Sequence, residues 1–119
     1  MRFYLKKPVL ISVMHSLKIE NHKCAKPHGH SYRVTVEISA AKLDKNGFVC
    51  DLVEPIVKTF DQTVLNESIE PSTPAILCQA LFDIFEMEIT SAEMSRRDIR
   101  IESIVIEDVV TDEKFTYAR

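Results

Sequence analysis

His30-Ser31-Tyr32-Arg33-Val34-Thr35-Val36-Glu37-Ile38-Ser39-Ala40 is the stretch that decides the fold. His30, Tyr32, Val34, Val36, Ile38 and Ala40 fall on one side of an extended chain, and Ser31, Arg33, Thr35, Glu37 and Ser39 on the other. That period of two marks a strand with one buried and one wet face. Upstream, Val9 to His15 reads as a first strand, with Pro8 at its entry, where a missing N–H is tolerated. Downstream, Asp44-Lys45-Asn46-Gly47 is a turn, and Phe48 to Cys50 continues or closes the hairpin. Asp51 and Glu54 resemble a capping box for a short helix whose stripe is Val53, Ile56, Val57 and Phe60; Pro55 falls in or near its first turn. A second helix is better marked, with Thr73 as N-cap, Pro74 at the first helical position, and Ile76, Leu77, Ala80, Leu81, Ile84 and Phe85 at helical spacing. The polar stretch Ser91 to Arg97 reads as a loop.

The end returns to strand. Ile99 and Ile101 share one face and Ile104 and Ile106 the other, so either both faces are buried or a bulge near Ser103 shifts the register. Thr111-Asp112-Glu113 turns the chain into a last strand carrying Phe115 and Tyr117. The order ββααββ predicts an α+β fold in which two helices cover one face of a four-stranded, mostly antiparallel sheet. With 119 residues and no repeat or linker, it forms one domain over residues 1–119.

Composition narrows the function classes. The chain has only 2 glycines, so no Gly-rich phosphate loop can be written. Its net charge of −3 and lack of a basic stretch argue against a nucleic-acid binder. No apolar run approaches a membrane span. Lys6 and Lys7 precede a short apolar run, but that run is broken by Ser12 and lacks a small-residue cleavage site, so it reads as a strand and not a signal peptide. Three cysteines, Cys24, Cys50 and Cys78, are an odd number without paired spacing, which predicts reduced thiols and a cytoplasmic protein.

The chemistry concentrates in the histidines. His28 and His30 flank Gly29 at a strand start, and spacing i, i+2 puts both imidazoles on one face. If the first two strands pair antiparallel, His15 joins them and the three make a zinc site with an open fourth position. An isolated His-x-His is more often a surface coincidence; the third histidine and Cys24 shift that balance. Cys24 is a candidate fourth ligand or reactive thiol, since the charge of a metal and of Lys26 favours the thiolate. Cys50 on a strand and Cys78 in a helix turn read as buried and inert. Asp61 either orients a catalytic group or ends a solvated helix. Glu107 either ends an apolar strand in solvent or floors a pocket that accepts two parallel N–H bonds from a flat heterocycle.

These elements, in order, resemble the 6-pyruvoyltetrahydropterin synthase family, which includes 6-carboxytetrahydropterin synthase of the 7-deazaguanine (queuosine) pathway. The matching pieces span nearly the whole chain: His15 after an apolar strand, Cys24-x-x-x-His28-Gly29-His30-Ser31-Tyr32, Gly47 to Leu52, Asp61-x-x-x-Leu65-Asn66, Pro71-Ser72 and Val105-Ile106-Glu107. The resemblance implies the tunnelling fold and a homohexamer of two trimers with active sites between subunits. It implies zinc on His15, His28 and His30, Cys24 as the thiolate that moves a side-chain proton, Asp61 in the proton relay, and Glu107 as the anchor of the pterin ring. The substrate would be 7,8-dihydroneopterin triphosphate. Three positions depart from the pattern. Gln62 stands where the family has histidine, Pro74 where the second helix carries glutamate, and Asp108 where threonine follows the anchoring glutamate. Glutamine cannot shuttle a proton near neutral pH. The sequence therefore leaves open a zinc-dependent lyase, with family or altered chemistry, a paralogue that binds zinc and a pterin or purine-like ligand without turnover, and an interaction domain with a residual motif. His22 is the spare imidazole that could replace the missing one.

Overall fold

The two long strands of a computed structural model form its backbone of organisation: β1 (Phe3–His15) and β2 (His28–Ala40) pair antiparallel along their whole length, from Phe3 opposite Ala40 to His15 opposite His28. The structure describes residues 1–119, apart from the side chain of Cys24. The remaining elements are α1 (Val53–Lys58), β3 (Thr63–Val64), α2 (Pro74–Glu88), α3 (Ala92–Arg96), β4 (Arg100–Asp108) and β5 (Lys114–Ala118), with short 3-10 turns at Lys23–Ala25 and Leu65–Glu67.

The α+β reading holds, but the sheet differs from the four-stranded antiparallel expectation. Among the described residues it has five strands in the order β3-β1-β2-β4-β5, and β3 runs parallel to β1. Two residues carry too little pattern to signal a strand. β1 begins at Phe3, so Pro8 lies mid-strand opposite Thr35. β3 covers β1 only at Val13 and Met14, leaving Pro8 beside an open edge where a lost N–H is tolerated.

Of the two alternatives for the isoleucine pattern, the bulge is the one present. Glu37 pairs with Ser103 and Ile38 with Ile101, so Glu102 is the extra residue. That one insertion puts Ile101 and Ile104 on the same buried face. Val9, Ile11 and Val13 of β1, Tyr32, Val34, Val36 and Ile38 of β2 and the β4 isoleucines pack under Val53 and Val57 of α1 and Leu77, Leu81 and Phe85 of α2.

The helices and the segment before them correct the sequence reading in three places. Asp51 does not cap α1; the helix starts one residue later, at Leu52, with no side-chain cap. An Asp51 cap would place Pro55 at the fourth helical position, the first whose N–H must bond back into the helix. Starting at Leu52 gives that task to Ile56, whose N–H reaches the Leu52 carbonyl at 3.1 Å. Ser91 to Arg97 is not a loop but contains α3, capped by the Ser91 hydroxyl accepting from Met94 N–H at 3.2 Å. Phe48 to Cys50 is not a strand, and Cys50 is buried in irregular chain following the Asp44–Gly47 turn. That turn itself forms as expected, with Gly47 at φ 85°. The second helix follows its signals: the Thr73 hydroxyl accepts from Ile76 N–H at 3.3 Å and Pro74 opens α2.

Candidate metal centre

Register brings the three histidines together. His15 and His28 end their strands directly opposite each other, and His30 is two residues along the same face. Their ring centroids lie 4.5, 4.8 and 4.7 Å apart, and one nitrogen of each ring lies within 4.8 Å of the others.

What sets this cluster apart from a chance grouping is the other nitrogen. His15 Nδ1 donates to the Ser72 carbonyl at 2.6 Å, His28 Nδ1 to the Lys26 carbonyl at 2.8 Å, and His30 Nδ1 to the Asp108 carboxylate at 2.8 Å. Each acceptor fixes the proton on Nδ1 and leaves a lone pair on Nε2. His15 Nε2 is buried and has no hydrogen-bond partner among the described residues. A buried lone pair facing two more lone pairs is unfavourable unless a cation sits among them. Burial, with the other two imidazoles, also pushes the His15 pKa down, so the ring stays neutral, as a ligand requires. Three converging imidazoles with outer acceptors fit a zinc ion with a fourth position open.

The loops that follow α1 lock the end of β1. Asn66 accepts from Ser16 N–H and donates to the Ser16 carbonyl, both at 2.9 Å, and the Ser72 hydroxyl donates to the same carbonyl at 3.0 Å. The Leu65-Asn66 and Pro71-Ser72 pieces of the motif thus hold His15 in place.

A cavity of about 580 Å³ opens beside the cluster, lined by Ser12, Gly29, His30, Gln62, Asp108 and Thr111 among others. A Cβ on Gly29 would meet only the Val13 carbonyl, at an ordinary 3.7 Å, so this glycine is not sterically required. Gln62 adopts φ 61° and donates its N–H to the Ser12 carbonyl at 2.7 Å, and it lines the cavity wall.

Asp61 and Glu107 are not part of the histidine cluster. Asp61 lies at the edge of β1, where its carboxylate accepts from Ser12 N–H at 2.8 Å and faces Lys58 at 3.5 Å. Those two contacts, the Ser12 bond foremost, hold its pKa below the usual carboxylate range. Glu107 sits on the sheet face opposite the histidines, between Arg33 at 3.5 Å on β2 and Lys114 at 3.8 Å on β5. Cys24 belongs to the Lys23–Ala25 turn, and its side chain lies outside the described residues. Cys50 and Cys78 are buried free thiols; burial raises both pKa values, Cys78 to about 11.

Asp108 is the residue the sequence reading missed, having taken it only as a departure from the family pattern. Burial opposes its ionisation, but the Val110 and Thr111 N–H groups and His30 outweigh it, and its pKa is lowered. The signal was available, since Ile104, Ile106 and Asp108 share one face by parity, the histidine face. The Ser72 and Lys26 carbonyls carry no such signal, being backbone.

The family model for 6-pyruvoyl tetrahydropterin synthase matches residues 4–114. An Archaeoglobus fulgidus protein named for 6-carboxy-5,6,7,8-tetrahydropterin synthase is 36% identical over 96 residues, covering 76% of this chain and 78% of its own. A Halobacterium salinarum protein of the same name is 37% identical over 71 residues, 58% of this chain and 47% of its own. Among solved structures, the 6-pyruvoyl tetrahydropterin synthase of Caenorhabditis elegans superposes with a TM-score of 0.70 at 20% identity, over 100% of this chain and 96% of that one. The Plasmodium falciparum enzyme gives 0.70 at 12% identity, over 99% and 98%. At such identities the structural likeness speaks for the fold alone.

Proposed function

The chain belongs to the 6-pyruvoyl tetrahydropterin synthase family and has its tunnelling fold, and from that premise we propose a zinc-dependent lyase acting on 7,8-dihydroneopterin triphosphate. The observation that carries the proposal is the commitment of all three Nδ1 atoms to acceptors, which leaves three Nε2 lone pairs converging. His15, His28 and His30 would hold the ion. Zinc, when bound, supplies a Lewis acid that lowers the pKa of substrate side-chain oxygens.

The chain's own residues do the rest. Cys24 takes the side-chain proton as general base. Glu107 accepts two N–H bonds from the pterin ring, exchanging its long contacts to Arg33 and Lys114 for short ones. Asp61 belongs to the proton relay, where it would orient a ring at position 62, in the proposed hexamer of two trimers. The names of the archaeal relatives favour the 6-carboxy product, and hence a step toward 7-deazaguanine compounds, in the cytoplasm.

A second reading, zinc and pterin binding without turnover, is favoured by one observation: a glutamine occupies the cavity wall where the family places histidine. Product analysis after incubating the zinc-loaded protein with 7,8-dihydroneopterin triphosphate separates the two. Release of triphosphate with a carboxy- or pyruvoyl-pterin product supports the lyase; binding without release supports the second reading.

A further inference from the structure

Two of the three histidines are anchored on backbone carbonyls, which no side-chain substitution removes. His30 leans instead on a side chain. Asp108 is 6% exposed and divides its two oxygens: Oδ2 accepts from His30 Nδ1 at 2.8 Å, while Oδ1 accepts from Val110 N–H at 2.9 Å and Thr111 N–H at 3.2 Å. The Tyr32 ring stacks on His30 at 5.4 Å and 15° and holds its plane. We propose that Asp108 is a positioning residue that fixes His30 as the Nδ1–H tautomer and ties it to the β4–β5 turn, whose Val110 and Thr111 line the cavity. The inference rests on the zinc reading of the triad only where it concerns affinity; the tautomer follows from Asp108 alone.

The argument is a count of donors and acceptors. An ionised carboxylate only accepts, so the imidazole facing it must donate from Nδ1, leaving Nε2 free. Asparagine has one acceptor and one donor group. The turn presents two N–H groups and takes the amide oxygen, so the amide N–H₂ faces His30. The imidazole is satisfied there only by moving its proton to Nε2, the nitrogen that should hold metal. Asp108→Asn therefore keeps the turn and inverts the ligand, the same exchange that puts a histidine in the wrong tautomer when a partner aspartate becomes asparagine in a hydrolase triad.

Nitrogen-detected NMR of metal-free protein reads the tautomer of each histidine directly. The wild type is expected to show His15, His28 and His30 all protonated on Nδ1. Asp108→Asn is expected to shift His30 alone to the Nε2–H form, with His15 and His28 as internal controls. Zinc affinity, from competition with a chromogenic chelator, should fall about 10- to 100-fold. A wild-type His30 found as the Nε2–H tautomer overturns the proposal and needs no variant to fold. So does an Asp108→Asn protein whose His30 tautomer and zinc affinity both match the wild type. If the wild type takes up no zinc while the tautomer still follows Asp108, the positioning role stands and the metal reading falls.

Discussion

In the proposed lyase, Gln62 is the residue that bears most directly on turnover. A thiolate base needs a partner that accepts its proton within the cycle, and losing such a group lowers rates by about a hundredfold to ten-thousandfold. Slow release of triphosphate is therefore expected from the chain as it stands, with Gln62→His raising it. His22 is the imidazole that could substitute, so His22→Ala is the paired test. A fast unmutated protein that stays fast as His22→Ala contradicts the need for a relay histidine. The role proposed for Glu107 concerns a different property. Its place on the sheet face opposite the imidazoles predicts that Glu107→Ala leaves zinc content unchanged, and the proposed anchoring role predicts that the same variant loses pterin binding; equal pterin affinity by calorimetry would remove it from the site. At this scale the sequence was informative wherever parity could be read. His15, His28 and His30 converge because alternate strand residues share a face, and Asp108 obeys the same parity. The Ser72 and Lys26 carbonyls were not legible, because any residue type supplies a carbonyl.

At the scale of elements, caps and edges fix the site's frame. Thr73→Ala removes the acceptor for Ile76 N–H and should lower stability by about 1 kcal/mol in denaturant melts. Ile104→Ala empties a fully buried position beside the bulge and should lower it by about 2–5 kcal/mol. Asp61 straps the segment before β3 to the edge of β1 through Ser12 N–H. Because its folded pKa is depressed, its contribution is present above the unfolded value near pH 4 and fades as pH falls through the folded value. The difference in urea midpoint between wild type and Asp61→Asn should be clear at about pH 6 and shrink as pH falls below about 4; a constant difference contradicts the strap. Long, strongly patterned elements such as β2 and α2 were legible, whereas the broken parity of Ile101 and Ile104 left the bulge as one of two alternatives. β3 was not, since two residues hold no period. α3 was not, since its turn is amphipathic nowhere and its capping serine looks like loop chemistry.

The whole molecule is elongated, 52 × 24 × 24 Å, with a radius of gyration of 15.5 Å against about 13.5 Å for a compact chain of this length. β1 and β2 run beyond the helices, and Phe3, Tyr4 and Leu10 are exposed on a strand whose outer edge is open over most of its length. Such an edge invites pairing, and light scattering should report a hexamer; a monomer at working concentration contradicts the proposed assembly. The most direct test of the account is the metal itself. Protein stripped with chelator, reloaded with zinc and desalted is expected to retain about one zinc per chain by elemental analysis, and His28→Ala and His30→Ala each to lose it while remaining folded. Full metal content in both variants would contradict the three-histidine centre.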